Sequence, residues 1–436
     1  MHRIAIVWEN YGPYHFARAR ALKTLAYPDQ VFPFELADVT AAYRWVRAPE
    51  QLREVHSLFQ ARPVESLSFL AIFRHTRAFL RAHRIEVCLI PSYWPQRSLA
   101  VLLAAKSLRT RSVMMNESHA RTAQAQGLAL WVKRRLVKLF DAALVGGQPQ
   151  ARYAASLGLR QEAILSGYDS VDNGYFSAQA SLVRERPEEC RVRYSLPRHY
   201  FLSLGRLVKK KNLPVLLRGY AHFLRAEPAA RHHLVIVGSG DEERSLKELS
   251  QGLSLIVYEK EKAGGGSLPE PAPIPGVHFY GFRQVEETPV FYALADAFVL
   301  PSASEEWGLV VNEAMASGLP VAVSEVAGCA EDLLERFGPA SAPAWGEGST
   351  VGGLPRELAN RVRRNGFVFE PFSSQQLSSA FRVLANRPEL VRAMGQRSAR
   401  LIQNYSCEAF ARGALRAACV ALRIALGAPT TPHQAA

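Results

Sequence analysis

Hydrophobic and polar positions in the first half of the chain alternate between short apolar runs and longer stretches with helical spacing. Runs of strand length predict strands at 3–8, 31–35, 86–91, 111–116, 142–146 and 163–167. Helical spacing predicts helices at 15–27, 66–84, 97–108, 126–140 and 149–158. Because strands that alternate with helices form parallel βα units, this half is predicted to be an α/β domain with a doubly wound parallel sheet.

The second half repeats the alternation. It predicts strands near 200–204, 233–237, 254–258, 276–280, 296–300, 320–323 and 367–369. Two stretches interrupt the pattern, 262–275 and 337–355. Their Gly, Pro, Ser and Ala content indicates loops. The tail predicts two helices, 374–402 and 407–426. Ser406 caps the second, whose apolar side is predicted to carry Phe410, Leu415, Cys419 and Leu422.

These patterns predict the domain organisation. A length of 436 residues suits two or three domains. We expect an N-terminal domain over 1–176, a polar connection over 177–197, a second domain over 198–373 and C-terminal helices over 374–436.

Composition and charge indicate the cellular compartment and the class of partner to expect. No apolar run is long enough for a membrane span. The five scattered cysteines fit a reducing cytoplasm. Residues 1–180 carry 23 Lys and Arg against 13 Asp and Glu. This excess indicates either an acidic partner, such as anionic lipid or a phosphorylated acceptor, or an arginine-rich solvated surface. The basic segment 128–140 around Trp131 predicts either a helix lying on a membrane or a helix of the core.

The most informative chemistry lies in the segment 300–318. A helix is predicted to begin near Gly308 and to end at Gly318. Three backbone N–H groups are expected to face outward at its start, those of Gly308, Leu309 and Val310. Glu305 precedes this anion-binding end, and Glu313 projects from the helix itself. Two carboxylates beside an anion site suit a ligand with both hydroxyls and phosphate, such as a nucleotide-sugar.

Cations follow an earlier strand. After 200–204 come Gly205, Arg206 and Lys211, and both cations could reach one diphosphate. The alternative is a solvated basic turn. The following Asn212 and the five-residue separation of Arg206 and Lys211 favour ligand binding over that alternative. A further turn contains Gly238 and Gly240, which either admit the backbone close to a nucleotide or only permit the turn.

Four segments in this order carry a family resemblance. They are GRLVKKKN at 205–212, VIVGSGDE at 235–242, VHFYGFR at 277–283 and SEEWGLVVNEAMASGLPVAVSEVAG at 304–328. Over about 198–330 the chain resembles the retaining GT-B glycosyltransferases of family 4, a bacterial group 1 family. The resemblance implies two Rossmann-like doubly wound parallel-sheet domains facing a cleft, with the last helix returning to the N-terminal domain.

The resemblance also implies residue roles. Arg206 and Lys211 would hold the diphosphate and stabilise it as it leaves. Glu313 would accept hydrogen bonds from the ribose hydroxyls, and Glu305 would lie against the sugar. For either carboxylate the alternative is an ordinary exposed residue at a helix start, which suits Glu306 better. Gly281 to Arg283, with Phe282 between them, resemble the place where backbone groups read the base.

The acceptor side is predicted in the N-terminal half. Tyr14 and His15 follow the first strand, where a Rossmann-like domain presents its ligand face. The strand at 111–116 ends in Asn116, followed by Glu117 and His119. The resemblance places a catalytic residue at this strand end. It leaves open whether that residue is Glu117 or His119, or whether the histidines are structural.

Together these features predict a retaining, hexosyltransferase-type enzyme. It would move a sugar from a nucleoside-diphosphate donor to a saccharide or lipid-linked saccharide, in bacterial surface polysaccharide or glycan synthesis. No cofactor or metal is expected, because no DxD sequence occurs. We expect a cytoplasmic protein, peripheral on the inner membrane face if it binds lipid, and no nucleic-acid partner. The alternatives are a nucleotide-sugar epimerase, a phosphorylase, or a non-enzymatic binder of nucleotide-sugar or nucleic acid, the last suggested by the pI near 9.7.

Overall fold

The computed structural model divides the chain into two compact units. It describes residues 2–27, 30–41, 47–94, 96–123, 125–259, 274–337, 356–358 and 360–424. The first unit comprises the described parts of Met1–His119, Gln124–Asp169 and Cys407–Ala436, and the second comprises Ala120–Ala123 and Ser170–Ser406. Nearly all of the two predicted loops at 262–275 and 337–355 lies outside the described residues.

The first unit contains a parallel sheet of seven strands in the order β3-β2-β1-β4-β5-β6-β7. Its strands are β1 (Ile4–Trp8), β2 (Val31–Val39), β3 (His56–Pro63), β4 (Val87–Pro91), β5 (Arg111–Asn116), β6 (Ala142–Val145) and β7 (Ile164–Ser166). Its helices up to β7 are α1 (Pro13–Leu25), α2 (Pro49–Glu54), α3 (Phe69–Ala82), α4 (Gln96–Ser107), α5 (Gly127–Val137) and α6 (Gln148–Ser156). The central strands are buried along their length, which explains why they read as continuous apolar runs.

Strand β3 was not predicted, and its position explains the omission. It lies at the edge of the sheet beside β2, and only Phe59 among its residues is buried. An edge strand that buries one side chain leaves almost no period-2 pattern in its sequence.

The second unit contains an eight-stranded sheet in the order β10-β11-β9-β8-β12-β13-β15-β14. The strands are β8 (Tyr200–Leu204), β9 (His233–Val237), β10 (Ile256–Glu259), β11 (Gly276–Phe279), β12 (Ala297–Leu300), β13 (Val321–Ser324), β14 (Val362–Arg363) and β15 (Gly366–Phe369). All pairs are parallel except β14 with β15. The prediction of an α/β protein with two doubly wound parallel sheets is confirmed.

Helices cover this second sheet. They are α7 (Asn173–Glu185), α8 (Pro187–Tyr194), α9 (Leu213–Ala226), α10 (Glu243–Gly252), α11 (Thr288–Leu294), α12 (Leu309–Ala316), α13 (Ala330–Leu333), α14 (Ser374–Asn386) and α15 (Pro388–Leu401). The segment 177–197, predicted as the connection, forms most of α7 and all of α8 within this unit. The predicted helix 374–402 is two helices, because Pro388 begins a new one and cannot continue the old.

The last helix, α16 (Cys407–Leu422), packs in the first unit. Phe410 is buried there, whereas Leu415, Cys419 and Leu422 are only partly buried. The buried stripe consists mainly of alanines, namely Ala411, Ala414, Ala417, Ala418 and Ala421. A Cβ added at Gly413 would lie 2.7 Å from the Ser166 carbonyl oxygen. The small residues therefore let this helix approach β6 and β7 closely.

Candidate functional site

The candidate site of the second unit lies at the carboxyl ends of three neighbouring strands. Strand β8 lies between β9 and β12 in the sheet. Each strand runs into a turn that contains glycine, and the carboxyl edge of a parallel sheet is where open α/β folds bind ligands. The predicted cations follow β8, and the predicted carboxylates follow β12.

The loop after β8 is held by its own backbone. Lys209–Lys211 form one turn of 3₁₀ helix, and Asn212 follows it in the left-handed region with φ 53°. Its amide Nδ2 donates to the carbonyl oxygens of Pro301 at 3.2 Å and Pro371 at 2.5 Å. Asn212, weighed above as a sign of ligand binding, therefore has a structural role, because it ties the loops after β8, β12 and β15 together.

Lys211 and Glu305 form a nearly buried ion pair. The Lys211 Nζ lies 2.5 Å from Glu305 Oε2, and their side chains are only 14% and 9% exposed. Ser302 Oγ donates to the same carboxylate oxygen at 2.8 Å. The ordinary exposed carboxylate is thus excluded for Glu305. The fold brings together a cation and an anion that are 94 residues apart in sequence.

A second, more exposed pair lies beside the first. Lys210 Nζ is 2.9 Å from Glu306 Oε2, and both side chains are more than a third exposed. Burial disfavours the charged form of both side chains. The hydrogen bond between them outweighs this effect, so it raises the pKa of Lys210 and lowers the pKa of Glu306. Glu306 is therefore the carboxylate that fits a surface role.

Arg206 is a further cation of this loop. It is exposed, and it has no ion pair with any described residue. Arg206 and Lys211 line the same small cleft together with Gly205, Leu300 and Pro301. The guanidinium is thus available to an anionic ligand at the edge where Lys211 is held.

Gly238 and Gly240 are explained by the neighbouring loop. A Cβ at Gly238, which has φ 137°, would lie 1.8 Å from the Gly205 carbonyl oxygen, and one at Gly240 would lie 2.3 Å from the Leu207 carbonyl oxygen. The Leu207 N–H donates to the Ser239 carbonyl at 2.9 Å. These glycines therefore let two ligand-side loops pack backbone against backbone, a reason that holds without any nucleotide.

The start of α12 has the geometry of an anion site. Gly308 caps it with φ 107°, and a Cβ there would meet Leu300 at 2.8 Å. Residues with a side chain rarely adopt this backbone angle. The backbone N–H groups of Gly308, Leu309 and Val310 donate to no described residue. The helix ends at Ala316, and Gly318 follows with φ 79°.

Glu313 lies inside the unit rather than on its surface. It is 1% exposed, and its Oε2 accepts a hydrogen bond of 2.9 Å from the buried Tyr292 hydroxyl. The exposed-carboxylate alternative is therefore excluded for Glu313 as well. Neither Tyr292 nor Ser302 was anticipated from the sequence, because nothing local marks a tyrosine or serine as the partner of a distant carboxylate.

The predicted base-reading segment follows β11. The carbonyl of Gly281 accepts from the Gly238 N–H at 2.8 Å, so its backbone belongs to the same set of interlocked turns. The Arg283 side chain is 8% exposed, with Nε 3.9 Å from Glu287 Oε1. Phe282 is half-buried beside it. The Arg283 guanidinium is therefore largely withdrawn from solvent.

In the first unit, His15 is fixed at the start of α1. Its Nδ1 accepts the Gly12 N–H at 3.0 Å, and its ring stacks on Trp8 with centroids 4.5 Å apart. Burial and the nearby charge of Arg18 lower the pKa of His15 to about 3. The imidazole is therefore neutral at physiological pH, with Nε2 as its donor. Tyr14, half-buried, precedes it.

The corner after β5 contains a carboxylate pair that the sequence did not reveal. Asn116 and His119 are each 3% exposed, and Glu117 between them is half-buried. Burial, the charge of Glu117 and a hydrogen bond with it raise the pKa of Asp169 well above its ordinary value. Asp169 is 52 residues further along the chain. The carboxyl that raises this pKa is that of Glu117, whereas His119 is enclosed.

Comparisons with known proteins match the part of the chain that contains this site. The family model "Glycosyl transferases group 1" matches residues 198–337. The D-inositol 3-phosphate glycosyltransferase of Thermomonospora curvata is 33% identical over 160 residues, which are 36% of this chain and 35% of that protein. The mannosylfructose-phosphate synthase of Agrobacterium fabrum is 32% identical over 161 residues, 36% and 31% of the two chains. The matches therefore span about a third of the length of these curated relatives.

A solved structure extends the likeness to nearly the whole chain. Anabaena HepE in complex with UDP-glucose has a TM-score of 0.61 at 17% identity, over 94% of this chain and 98% of that one. At this identity the likeness establishes the fold. Residues 198–337 thus match the model of the group 1 glycosyl transferases, and the chain as a whole has the GT-B fold.

Proposed function

We propose that this protein is a retaining glycosyltransferase that uses a nucleoside-diphosphate sugar. The observation that supports it best is the Lys211–Glu305 pair, at 2.5 Å, beside the exposed Arg206 and the open start of α12. This arrangement offers cations and free N–H groups to a diphosphate, and it offers a carboxylate to the hydroxyls of a sugar.

The donor would bind along the carboxyl edge of the second sheet. Arg206, Lys211 and the N–H groups at the start of α12 would hold the diphosphate and stabilise the charge that develops as it leaves. Glu305 would accept hydrogen bonds from the sugar, and Glu313 from the ribose. In HepE the bound ligand is UDP-glucose, which supports a donor of this class.

We assign the acceptor to the carboxyl-end residues of the first unit. Glu117, whose charge helps to raise the pKa of Asp169, is our choice over the enclosed His119 for the acceptor-side role. In the retaining chemistry that we propose, the acceptor hydroxyl attacks the sugar on the face from which the phosphate leaves, and the leaving phosphate takes the acceptor proton. We propose a saccharide or lipid-linked saccharide as acceptor and a role in bacterial surface glycan synthesis.

A donor panel tests the proposal. Labelled nucleoside-diphosphate sugars are incubated with the chain, with and without saccharide acceptors. Sugar transfer with retained anomeric configuration supports the proposal. Conversion of the donor to its epimer without an acceptor would instead indicate an epimerase, and saturable donor binding without turnover would indicate a binding protein.

The proposed transfer is expected to need no metal. Cations and helix N–H groups would neutralise the diphosphate in place of a divalent ion. We expect the transfer rate to be unchanged in excess EDTA after metal removal, relative to a mock-treated sample. A loss of activity that Mg²⁺ or Mn²⁺ restores would contradict this expectation.

We also propose that the first unit contacts anionic lipid through α5. The helix is mostly exposed and buries only Val137, so the core-helix alternative does not describe it. Leu128 is 76% exposed and Trp131 54% exposed, beside Lys133, Arg134 and Arg135. Apolar side chains with adjacent cations suit the interface of an anionic membrane. None of the described helices combines the length and apolar character that a membrane crossing requires.

Vesicle co-sedimentation tests this contact. We expect the chain to bind anionic vesicles but not neutral ones at low salt, and to dissociate as the salt screens its cations. Trp131→Ala should reduce the bound fraction several-fold. Phe372→Ala, which removes a 75% exposed aromatic of the second unit, should not. Equal binding of the unmodified chain and the two variants to anionic vesicles would contradict the proposal. Absence of the unmodified chain from both the anionic and the neutral vesicle pellets at low salt would also contradict it.

A further inference from the structure

A cluster of two histidines and an aspartate lies at the amino edge of the second sheet. His199 precedes β8, His232 precedes β9, and Asp296 precedes β12. These three strands are neighbours, so their first residues lie in one row at the edge opposite the donor site. Among the described residues, these three side chains form the cluster of His, Cys, Asp or Glu that lies close enough together to hold one metal ion. One ligand atom from each lies within 4.8 Å of the others.

The distances within the cluster suit one bound cation. His199 Nδ1 lies 3.4 Å from Asp296 Oδ2, and His232 Nε2 lies 3.7 Å from the same oxygen. Two nitrogen or oxygen ligands about 2.0–2.1 Å from a tetrahedral Zn²⁺ are ~3.3–3.4 Å apart. Shifts of a few tenths of an ångström would therefore complete the geometry. The separations are too long for strong hydrogen bonds, yet all three groups face one another.

His232 lacks the hydrogen bonds that a largely buried imidazole normally makes. Its side chain is 13% exposed and its ring stacks on Phe201, with centroids 5.1 Å apart. Its Nδ1 is buried and has no partner among the described residues, and its Nε2 only approaches Asp296. The Nε2 that faces Asp296 is therefore not taken up by a protein hydrogen bond among the described residues and is available to a bound ion.

The ligand backbone is rigid. The Tyr200 N–H donates to Asp296 Oδ2 at 2.9 Å, and the Asp296 N–H donates to the Tyr200 carbonyl at 2.9 Å. The His233 N–H donates to the His199 carbonyl at 2.9 Å. Sheet pairing therefore fixes all three ligand positions before an ion binds, and the carboxylate already has the supporting hydrogen bond that metal ligands require.

We propose that His199, His232 and Asp296 bind one divalent transition-metal ion, with Zn²⁺ the best match. Imidazole and carboxylate ligands suit Zn²⁺ better than Mg²⁺ or Ca²⁺, which prefer shells of oxygen alone. Three protein ligands leave one position for solvent, in keeping with the half-exposed His199. Because the site lies at the edge opposite the proposed donor cleft, its role is to tie β8, β9 and β12 together.

Calorimetric titration of the chelator-treated chain with ZnCl₂ tests the site. We expect one ion per chain and a higher melting temperature with zinc present, since an ion that binds only the folded state stabilises it. His199→Ala and Asp296→Asn should each lower the zinc affinity at least tenfold. His199→Cys should restore most of it, because a thiolate also binds Zn²⁺.

His75→Ala is the matched control, because it removes an exposed histidine of α3 outside the cluster. Its zinc affinity should equal that of the unmodified chain. His199 is itself 46% exposed, so its replacement should leave the metal-free melting temperature unchanged. The proposal is overturned if zinc does not bind saturably, or if its affinity is the same in the unmodified chain, His199→Ala and Asp296→Asn.

Discussion

Replacing Arg206 or Lys211 with alanine is expected to lower kcat/KM for sugar transfer at least ~30-fold, a loss of about 2 kcal/mol or more of transition-state stabilisation. Both cations line the cleft at the end of β8, where the leaving diphosphate would gain charge. Steady-state kinetics with the donor identified in the panel measure the effect. Lys209→Ala is the control, because it removes an exposed charge from the same 3₁₀ turn without a cleft contact.

The two variants should differ in stability. Arg206 is exposed and has no ion pair with a described residue, so Arg206→Ala should leave the free energy of unfolding unchanged. Lys211→Ala leaves the nearly buried carboxylate of Glu305 without its cation. This loss should cost about 2–3 kcal/mol. Denaturant unfolding separates it from the kinetic effect. Near-normal kinetics in both variants, with the fold intact, would contradict the diphosphate assignment.

Glu313→Gln is expected to weaken nucleotide binding, whereas Glu305→Gln is not. Glu313→Gln should weaken binding of the free nucleoside diphosphate by ~1.5–3 kcal/mol, since a hydrogen bond to a charged group is lost. Glu305→Gln should lower the transfer rate but leave that affinity unchanged or slightly higher, because it releases Lys211 from its ion pair. Calorimetry with nucleoside diphosphate, beside steady-state rates, measures both effects.

Tyr292→Phe controls for the burial of Glu313. It removes the hydroxyl that donates to Glu313 Oε2 but keeps the carboxylate. If Glu313 binds the ribose, the affinity for nucleoside diphosphate should fall much less in Tyr292→Phe than in Glu313→Gln. Loss of nucleotide binding in Glu305→Gln, with normal binding in Glu313→Gln, would reverse the two roles.

The sequence was sufficient wherever the physical signal is local. Buried strands such as β8 and β9 are uninterrupted apolar runs, and both were predicted within a residue of their observed bounds. The start and end of α12 were predictable because Gly308 and Gly318 supply backbone angles that other residues rarely adopt. Edge strand β3 was missed because a strand that buries one side chain has almost no hydrophobic pattern.

The candidate site was predictable as a set of residues but not as a set of partners. The motif 304–328 identified both carboxylates by their spacing. It could not show that Lys211 takes Glu305 while Lys210 takes Glu306, or that Glu313 is enclosed beside Tyr292. Burial and pairing depend on which segments the sheet brings together.

The tertiary structure alone decided the remaining features. Asp169 lies beside Glu117 only because β5 and β7 end at the same edge of one sheet, and α5 is exposed although its sequence also fits a core helix. His199, His232 and Asp296 are up to 97 residues apart, and the strand order places them in one row. The sequence by itself determined the elements, the glycine turns and the chemistry available at each strand end, because these follow from local pattern. Strand order determined which of those groups face each other, because contacts across a sheet join residues that are distant along the chain.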